Sequence, residues 1–363
     1  MPDVGKLVSF AGCDYLGLSV AATVRNEFCA GANAFVVSAC ASLATTGRTS
    51  AHEDLELALA GFLGVESAAV LPDAFLANLA VVESLSPQTR LFLDERAHPS
   101  LLAAARSTGR PYETFSHVNV ETVRSLLGRS PAGEPVALLT DGVFTPSGRR
   151  APLGEYLDLL PPSGILIVDD CHGLGVLGRH GRGSTEDAGL GDARVILVAT
   201  LAKAFGCYGG VIAGATTRLA SIREQSMAYV ATTALPPALA VAGREALRLF
   251  VSEPQRLATL WQNTLLMRAG LEALGFSFAA DPFPVFALVL ETSGHGPRLE
   301  TALLEEGIRL PFLSYPGGPS AGCLRATVSA VHTAEQVERL MRTLDGVLRQ
   351  VGACPAPLGK EEE

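Results

Sequence analysis

Between about residue 65 and residue 215, short apolar runs alternate with stretches whose apolar residues recur at helical spacing. The runs fall at 68–71, 91–93, 136–140, 165–168, 195–199 and 210–213. Their hydrophobicity is continuous rather than alternating, which predicts strands buried on both faces, as in a parallel sheet flanked by helices. Segments 100–107 and 120–127 read as amphipathic helices between them. The pattern predicts an α/β fold built on a doubly wound, mostly parallel sheet. After Pro236-Pro237 the character changes to long helices at 238–251 and 255–274, strands near 286–290 and 324–328, and a last helix at 334–351. This is the signature of a smaller α+β domain. The expected organisation is a segment 1–45 packing on the large domain, a large domain 46–240, a C-terminal domain 241–352 and a disordered tail 353–363.

Composition agrees with two globular domains. The chain has 363 residues, 48% hydrophobic and 18% charged, more than a single core ordinarily serves. A formal charge of -9 argues against a nucleic-acid binder, since phosphate neutralisation needs a basic face. No apolar run approaches the roughly 20 residues of a membrane helix, and the first residues lack a signal-peptide layout. The expectation is a cytoplasmic protein with neither membrane nor nucleic-acid partner. The 7 cysteines are odd in number and contain no Cys-x-x-Cys, so neither a disulfide framework nor a metal site is expected.

One count changes the picture. Of the 28 basic residues only Lys6, Lys203 and Lys360 are lysines, and two of these lie near the termini. Arginine does not replace an amine that must lose its proton, because its pKa stays above about 12. Lys203 therefore asks for a chemical reason. Ligands in open α/β sheets sit beyond the carboxyl ends of the strands. There the run 165–168 leads into Asp169-Asp170-Cys171-His172, and the run 195–199 into Thr200-Leu201-Ala202-Lys203. An amine, a carboxylate, an imidazole and a hydroxyl are what pyridoxal 5'-phosphate (PLP) chemistry requires. The amine forms a Schiff base and moves protons, and the carboxylate keeps the pyridine nitrogen protonated.

Two motifs point elsewhere. Gly173-Leu-Gly175-Val-Leu-Gly178 fits a dinucleotide fingerprint, but four residues separate it from the strand and no helix follows. Gly318-Pro-Ser320-Ala-Gly322 fits a hydrolase elbow, but it precedes a strand instead of following one.

Taken in order, a longer series of motifs resembles the α-oxoamine synthase family of fold-type I PLP enzymes over about residues 9–344. It includes Asp14-Tyr15-Leu16-Gly17, Gly47-Arg48-Thr49, Asp94-Glu95-Arg96-Ala97-His98-Pro99-Ser100 and Asp141-Gly142-Val143-Phe144. Asp169-Asp170-Cys171-His172-Gly173, Thr200-Leu201-Ala202-Lys203, Leu235-Pro236-Pro237 and Leu324-Arg325 complete it. The resemblance implies that His98 stacks on the cofactor ring, Asp169 meets its nitrogen, His172 its phenolic oxygen, and Lys203 its aldehyde. It implies a phosphate site from the backbone amides of Ala74 and Phe75, from Thr200, and from Thr233 of a neighbouring subunit in a homodimer. It implies Arg325 as the grip on an amino-acid carboxylate. The reaction implied is condensation of an amino acid with an acyl-CoA, with loss of CO2, to an aminoketone. Asp-Asp-Cys-His-Gly and Leu-Pro-Pro resemble the 8-amino-7-oxononanoate synthases of that family, whereas Thr-Leu-Ala-Lys-Ala-Phe-Gly resembles the glycine C-acetyltransferases. An aminotransferase of the same fold is the further alternative.

The chain departs from the family pattern at Asp73-Ala74, where Ser-Gly is usual, and at Ala41-Ser42-Leu43. It also departs at Cys13 and at Thr145-Pro146-Ser147. A carboxylate at 73 next to a phosphate is unfavourable unless it caps the helix.

Overall fold

Residues 7–131, 133–145, 147–278, 281–314 and 322–356 are described by the computed structural model. The described chain begins with β1, Val8–Ser9, and then builds a seven-stranded sheet from the apolar runs. Its strands are β2 (Ser67–Leu71), β3 (Arg90–Asp94), β4 (Tyr112–Phe115), β5 (Val136–Asp141), β6 (Ile165–Asp169), β7 (Val195–Thr200) and β8 (Gly210–Gly214). The spatial order is β2-β8-β7-β6-β5-β3-β4. Pairings β4·β3, β3·β5, β5·β6 and β6·β7 are parallel, while β8 runs antiparallel to both β7 and β2. Val, Ile and Leu fill the central strands, and β6 and β7 are buried at every position. Because β3, β5, β6 and β7 run the same way, Asp94, Asp141, Asp169 and Thr200 end on one edge.

β4 was not expected from the sequence. Its Tyr-Glu-Thr-Phe is only partly buried, as suits a strand paired on one side only. One apolar cluster joins this sheet to the Ala74–Glu83 and Pro99–Ser107 helices through Leu71, Ala77, Val81, Leu101 and Ile167.

The chain divides into two compact units, and the division corrects the expected boundaries. The sheet unit comprises Leu18–Val143 and Arg150–Glu253. The other comprises the described parts of Met1–Gly17, Phe144–Arg149 and Pro254–Glu363. Thus the opening segment, expected on the large domain, divides at Gly17, and its first part belongs with the C-terminal unit. There β1 pairs in parallel with β10 (Ile308–Arg309), given β9 at Val285–Leu288. β11 (Phe312–Leu313), β12 (Cys323–Thr327) and β9 form an antiparallel sheet in the order β11-β12-β9. Phe10 joins Met267, Leu288, Leu324 and Leu344 in one core and stacks on His332 with ring centroids 4.4 Å apart. Burial of Phe10 alone is worth about 1.5–3 kcal/mol, which explains the segment's allegiance.

The Ala334–Val351 helix starts on a capping box of Thr333 and Gln336 and ends at Gly352, whose φ of 69° suits a glycine C-cap. Beyond it Ala353 is buried and the Ala356 N–H donates to Val289 O at 3.0 Å. The first residues of the expected tail are therefore ordered, and residues 357–363 lie outside those described. Pro146 and the Gly318-Pro-Ser320-Ala stretch of the elbow-like motif also lie outside them.

Candidate active site

Two neighbouring strands bring the predicted residues together within the sheet unit. Asp169 closes β6 and is 5% exposed. Lys203 stands three residues beyond β7, and β6 and β7 pair in register with Asp169 opposite Val198. Among the described residues the Lys203 amine makes no hydrogen bond or ion pair. Asp169 is held by two donors, Asn78 Nδ2 to Oδ2 at 2.6 Å and the Cys171 N–H to Oδ1 at 3.1 Å. Both oxygens thus accept a hydrogen bond.

His98 arrives from β3. It caps the Pro99–Ser107 helix, and its Nδ1 accepts from the Ser100 N–H at 3.3 Å. Its own N–H donates to Asp141 Oδ1 at 2.8 Å. Burial lowers the imidazole pKa; the Asp169 charge opposes that and the Lys203 charge adds to it, so the ring senses both groups. Asp141 lies across the ladder from Asp169. Burial, then Asp169 and Asp94, push its carboxyl well above the usual range.

His172 lies half-buried in the turn after β6. Thr200 is buried, with its hydroxyl donating to Gly209 O at 3.2 Å and accepting from the Ala202 N–H at 3.1 Å. Thr233 is exposed, and its backbone bridges to Ser42. Leu43, beside it in the departed segment, is packed in the core. Arg325 lies on β12 in the other unit, where Nη2 donates to Cys13 Sγ at 3.4 Å. The cysteine that departs from the family pattern is thus the arginine's neighbour.

The departure at Asp73 is resolved by capping. Asp73 Oδ1 accepts from the Leu76 N–H at 2.8 Å, and Ala74 opens a right-handed helix. The first helical amides, those of Ala74 and Phe75, have no carbonyl partner within the helix, as an anion site requires. His52 is buried, its Nδ1 accepts from the Thr49 N–H, and its Nε2 bonds Leu235 O at 2.7 Å.

The glycine-rich motif also has a structural role. Asp170 is fully buried and accepts from Ser184 Oγ at 2.7 Å and Ser184 N–H at 2.8 Å. A Cβ at Gly173 would lie 2.0 Å from Asp170 Oδ1, and one at Gly183 1.8 Å from Oδ2. The glycines admit a carboxyl group, not a dinucleotide. Burial raises the Asp170 pKa to about 7, with the Ser184 bonds opposing.

Sequence reasoning gave no role to Asn78, Ser100, Asp141 or Asp170. Asn78 could have been found: apart from the terminal Glu83 it is the polar residue in Ala-Phe-Leu-Ala-Asn-Leu-Ala-Val-Val-Glu, and it is fully buried.

An amine without a hydrogen bond or ion pair among the described residues, a buried carboxyl group, an imidazole and free helix amides fit a phosphorylated pyridine aldehyde. Among the described residues no cluster of potential ligands fits a metal ion, and no helix is long and apolar enough to cross a membrane.

Comparison with known proteins gives the same picture. The family model "Aminotransferase class I and II" matches residues 6–344. The 8-amino-7-oxononanoate synthase of Thioalkalivibrio sulfidiphilus (strain HL-EbGR7) is 36% identical over 352 residues, covering 96% of this chain and 90% of its own. That of Methylococcus capsulatus is 36% identical, covering 96% and 91%. Among solved structures, Sphingomonas wittichii serine palmitoyltransferase matches with a TM-score of 0.90 and 27% identity, over 95% of this chain and 88% of its own.

Proposed function

Because this chain belongs to the aminotransferase class I and II family, we propose that it is a PLP-dependent C-acyltransferase of the α-oxoamine synthase type. It is most like 8-amino-7-oxononanoate synthase, and it condenses an amino acid with an acyl-CoA to an aminoketone, releasing CoA and CO2. The observation that carries the reading is Lys203, an amine with no ionic partner among the described residues, on the same edge as buried Asp169.

When bound, PLP supplies an aldehyde that condenses with amines and a protonated ring that takes up an electron pair from the adjacent carbon. The protein's share is electrostatic and acid–base. Asp169, held in place by its two hydrogen bonds, would accept a hydrogen bond from the ring nitrogen and favour a proton there. The Lys203 amine takes a proton from the substrate α-carbon, and its flexible stem lets it deliver one again. His98 provides a face for the ring and His172 a donor for its phenolic oxygen. The amides of Ala74 and Phe75 hold the phosphate, aided by Thr200 and by Thr233 from a second subunit. Arg325 is proposed for the substrate carboxylate, a role its planar fork suits.

A homodimer follows from the role given to Thr233, whose exposed side chain supports it. A cytoplasmic location is proposed with it. The test is incubation with a panel of amino acids and acyl-CoAs, following free CoA and CO2. Coupled release of both supports the synthase reading. Amino transfer to a keto acid without CoA release overturns it.

A further inference from the structure

Two polar side chains connect Asp169 to His98, and their donors can be counted. Asn78 Nδ2 carries two hydrogens, one for Asp169 Oδ2 at 2.6 Å and one for Ser100 Oγ at 2.8 Å. With that bond accepted, the Ser100 hydroxyl spends its own hydrogen on His98 Nδ1, 2.7 Å away. The Ser100 N–H points at the same nitrogen, so Nδ1 is an acceptor twice over. The imidazole proton of neutral His98 therefore sits on Nε2. Rotating the Asn78 amide by half a turn would set its oxygen against the Asp169 carboxylate, which fixes the chain's direction. Asn78 Oδ1 is buried without a partner among the described residues. A buried orphan acceptor costs stability, and the site retains it in exchange for the two donors.

We propose that Asn78 and Ser100 are positioning residues whose relay, Asp169–Asn78–Ser100–His98, aligns the carboxylate with the imidazole and fixes His98 as the Nε2–H tautomer. Asn78 and Ser100 touch neither substrate nor cofactor in this account. They act through the two side chains that do, and the inference rests on the cofactor roles given above to Asp169 and His98. The relay belongs entirely to the sheet unit. Its members come from the Ala74–Glu83 helix, the start of the Pro99–Ser107 helix and the end of β6. Charged or titratable groups sensed by His98 are Asp169 and Lys203. The ring's pKa is lowered, as a doubly donated Nδ1 also demands.

The experiment is nitrogen NMR of histidine-labelled full-length protein, with and without PLP, His98 being assigned from the His98→Gln variant. The wild type is expected to show Nε2–H and unprotonated Nδ1 without cofactor. In Ser100→Ala, one donor to Nδ1 is gone, so His98 titrates at higher pH. Ser100→Thr restores the wild-type titration. In parallel, Asn78→Leu should weaken PLP binding about tenfold or more, since Asp169 loses a buried charge-assisted bond. If Asn78→Leu does not fold, the Ser100 pair decides alone. A dominant Nδ1–H tautomer, or a His98 titration unmoved by Ser100→Ala, overturns the relay. Failure of the wild type to bind PLP would instead overturn the cofactor reading, because the tautomer is read without PLP.

Discussion

Replacing Gly173 by alanine tests whether the glycine-rich segment exists to admit the buried Asp170 carboxyl group. The added Cβ would stand 2.0 Å from Asp170 Oδ1 and 2.8 Å from its Cγ. Real carbon atoms do not approach so closely, so the carboxyl group must retreat by about 1 Å, as overpacked core groups do. It has no free direction, since the Ser184 N–H and hydroxyl hold its two oxygens at 2.8 and 2.7 Å. Gly183 closes a further side, where a Cβ would come within 1.8 Å of Oδ2. Overpacking costs about 1–3 kcal/mol, and weakening bonds to a buried polar group costs a similar amount. The expected loss is about 3–5 kcal/mol, a large part of the ~5–15 kcal/mol typical of a folded chain. Urea unfolding of the full chain measures it. Gly128→Ala is the control: it lies in the Val120–Arg129 helix with nothing within 4 Å, so alanine should stabilise by about 0.5–1 kcal/mol. A Gly173→Ala loss below about 1 kcal/mol would refute the reasoning.

Asp170 also sets a pH dependence. Its folded pKa, raised to about 7 from 3.8, means that its stabilising contribution is full below about 3.8 and lost as pH rises through about 7. Asp170→Asn removes that contribution, so its urea midpoint should fall less steeply with pH, by up to about 1.4 kcal/mol per pH unit. Parallel profiles for the two proteins would sink the assignment. His52, whose pKa burial lowers, acts with the opposite sign. Its contribution is present above about 6.5 and lost as pH falls through its folded value, so His52→Gln should be less acid-sensitive than the wild type. Asp73→Ser keeps the cap on the Leu76 N–H and removes a negative charge beside the phosphate amides. Titration should show PLP bound several-fold more tightly, and unchanged or weaker binding would count against a phosphate there.

The chemistry of the edge was legible because it depends on local order. Runs 165–168 and 195–199 had to be buried neighbours, and Asp169 and Lys203 follow them directly. Other features depend on partners far along the chain. β4 escaped notice because a strand paired on one side need not be apolar throughout, and the direction of β8 left no trace because a continuous apolar run looks the same either way. Residues 8–10 joined the C-terminal unit through Val8 against Ile308, a pairing that no window around residue 8 contains. Asn78 was visible as a polar interruption in an apolar helix. Its partner Asp169 lies 91 positions away, so its purpose was not visible. Gly173-Leu-Gly175-Val-Leu-Gly178 could be dissociated from dinucleotide binding by its context, but its actual occupant, the neighbouring Asp170, needed coordinates.

The central claim is that Lys203 is the residue bonded to PLP, and chemical trapping tests it most directly. The protein is incubated with PLP, reduced with borohydride, digested and mapped by mass spectrometry. A pyridoxyl group on Lys203, absent from Lys203→Ala together with the visible absorbance of the bound cofactor, is the predicted result. Labelling confined to Lys6 or Lys360, or a Lys203→Ala protein that keeps the wild-type visible spectrum, would contradict it.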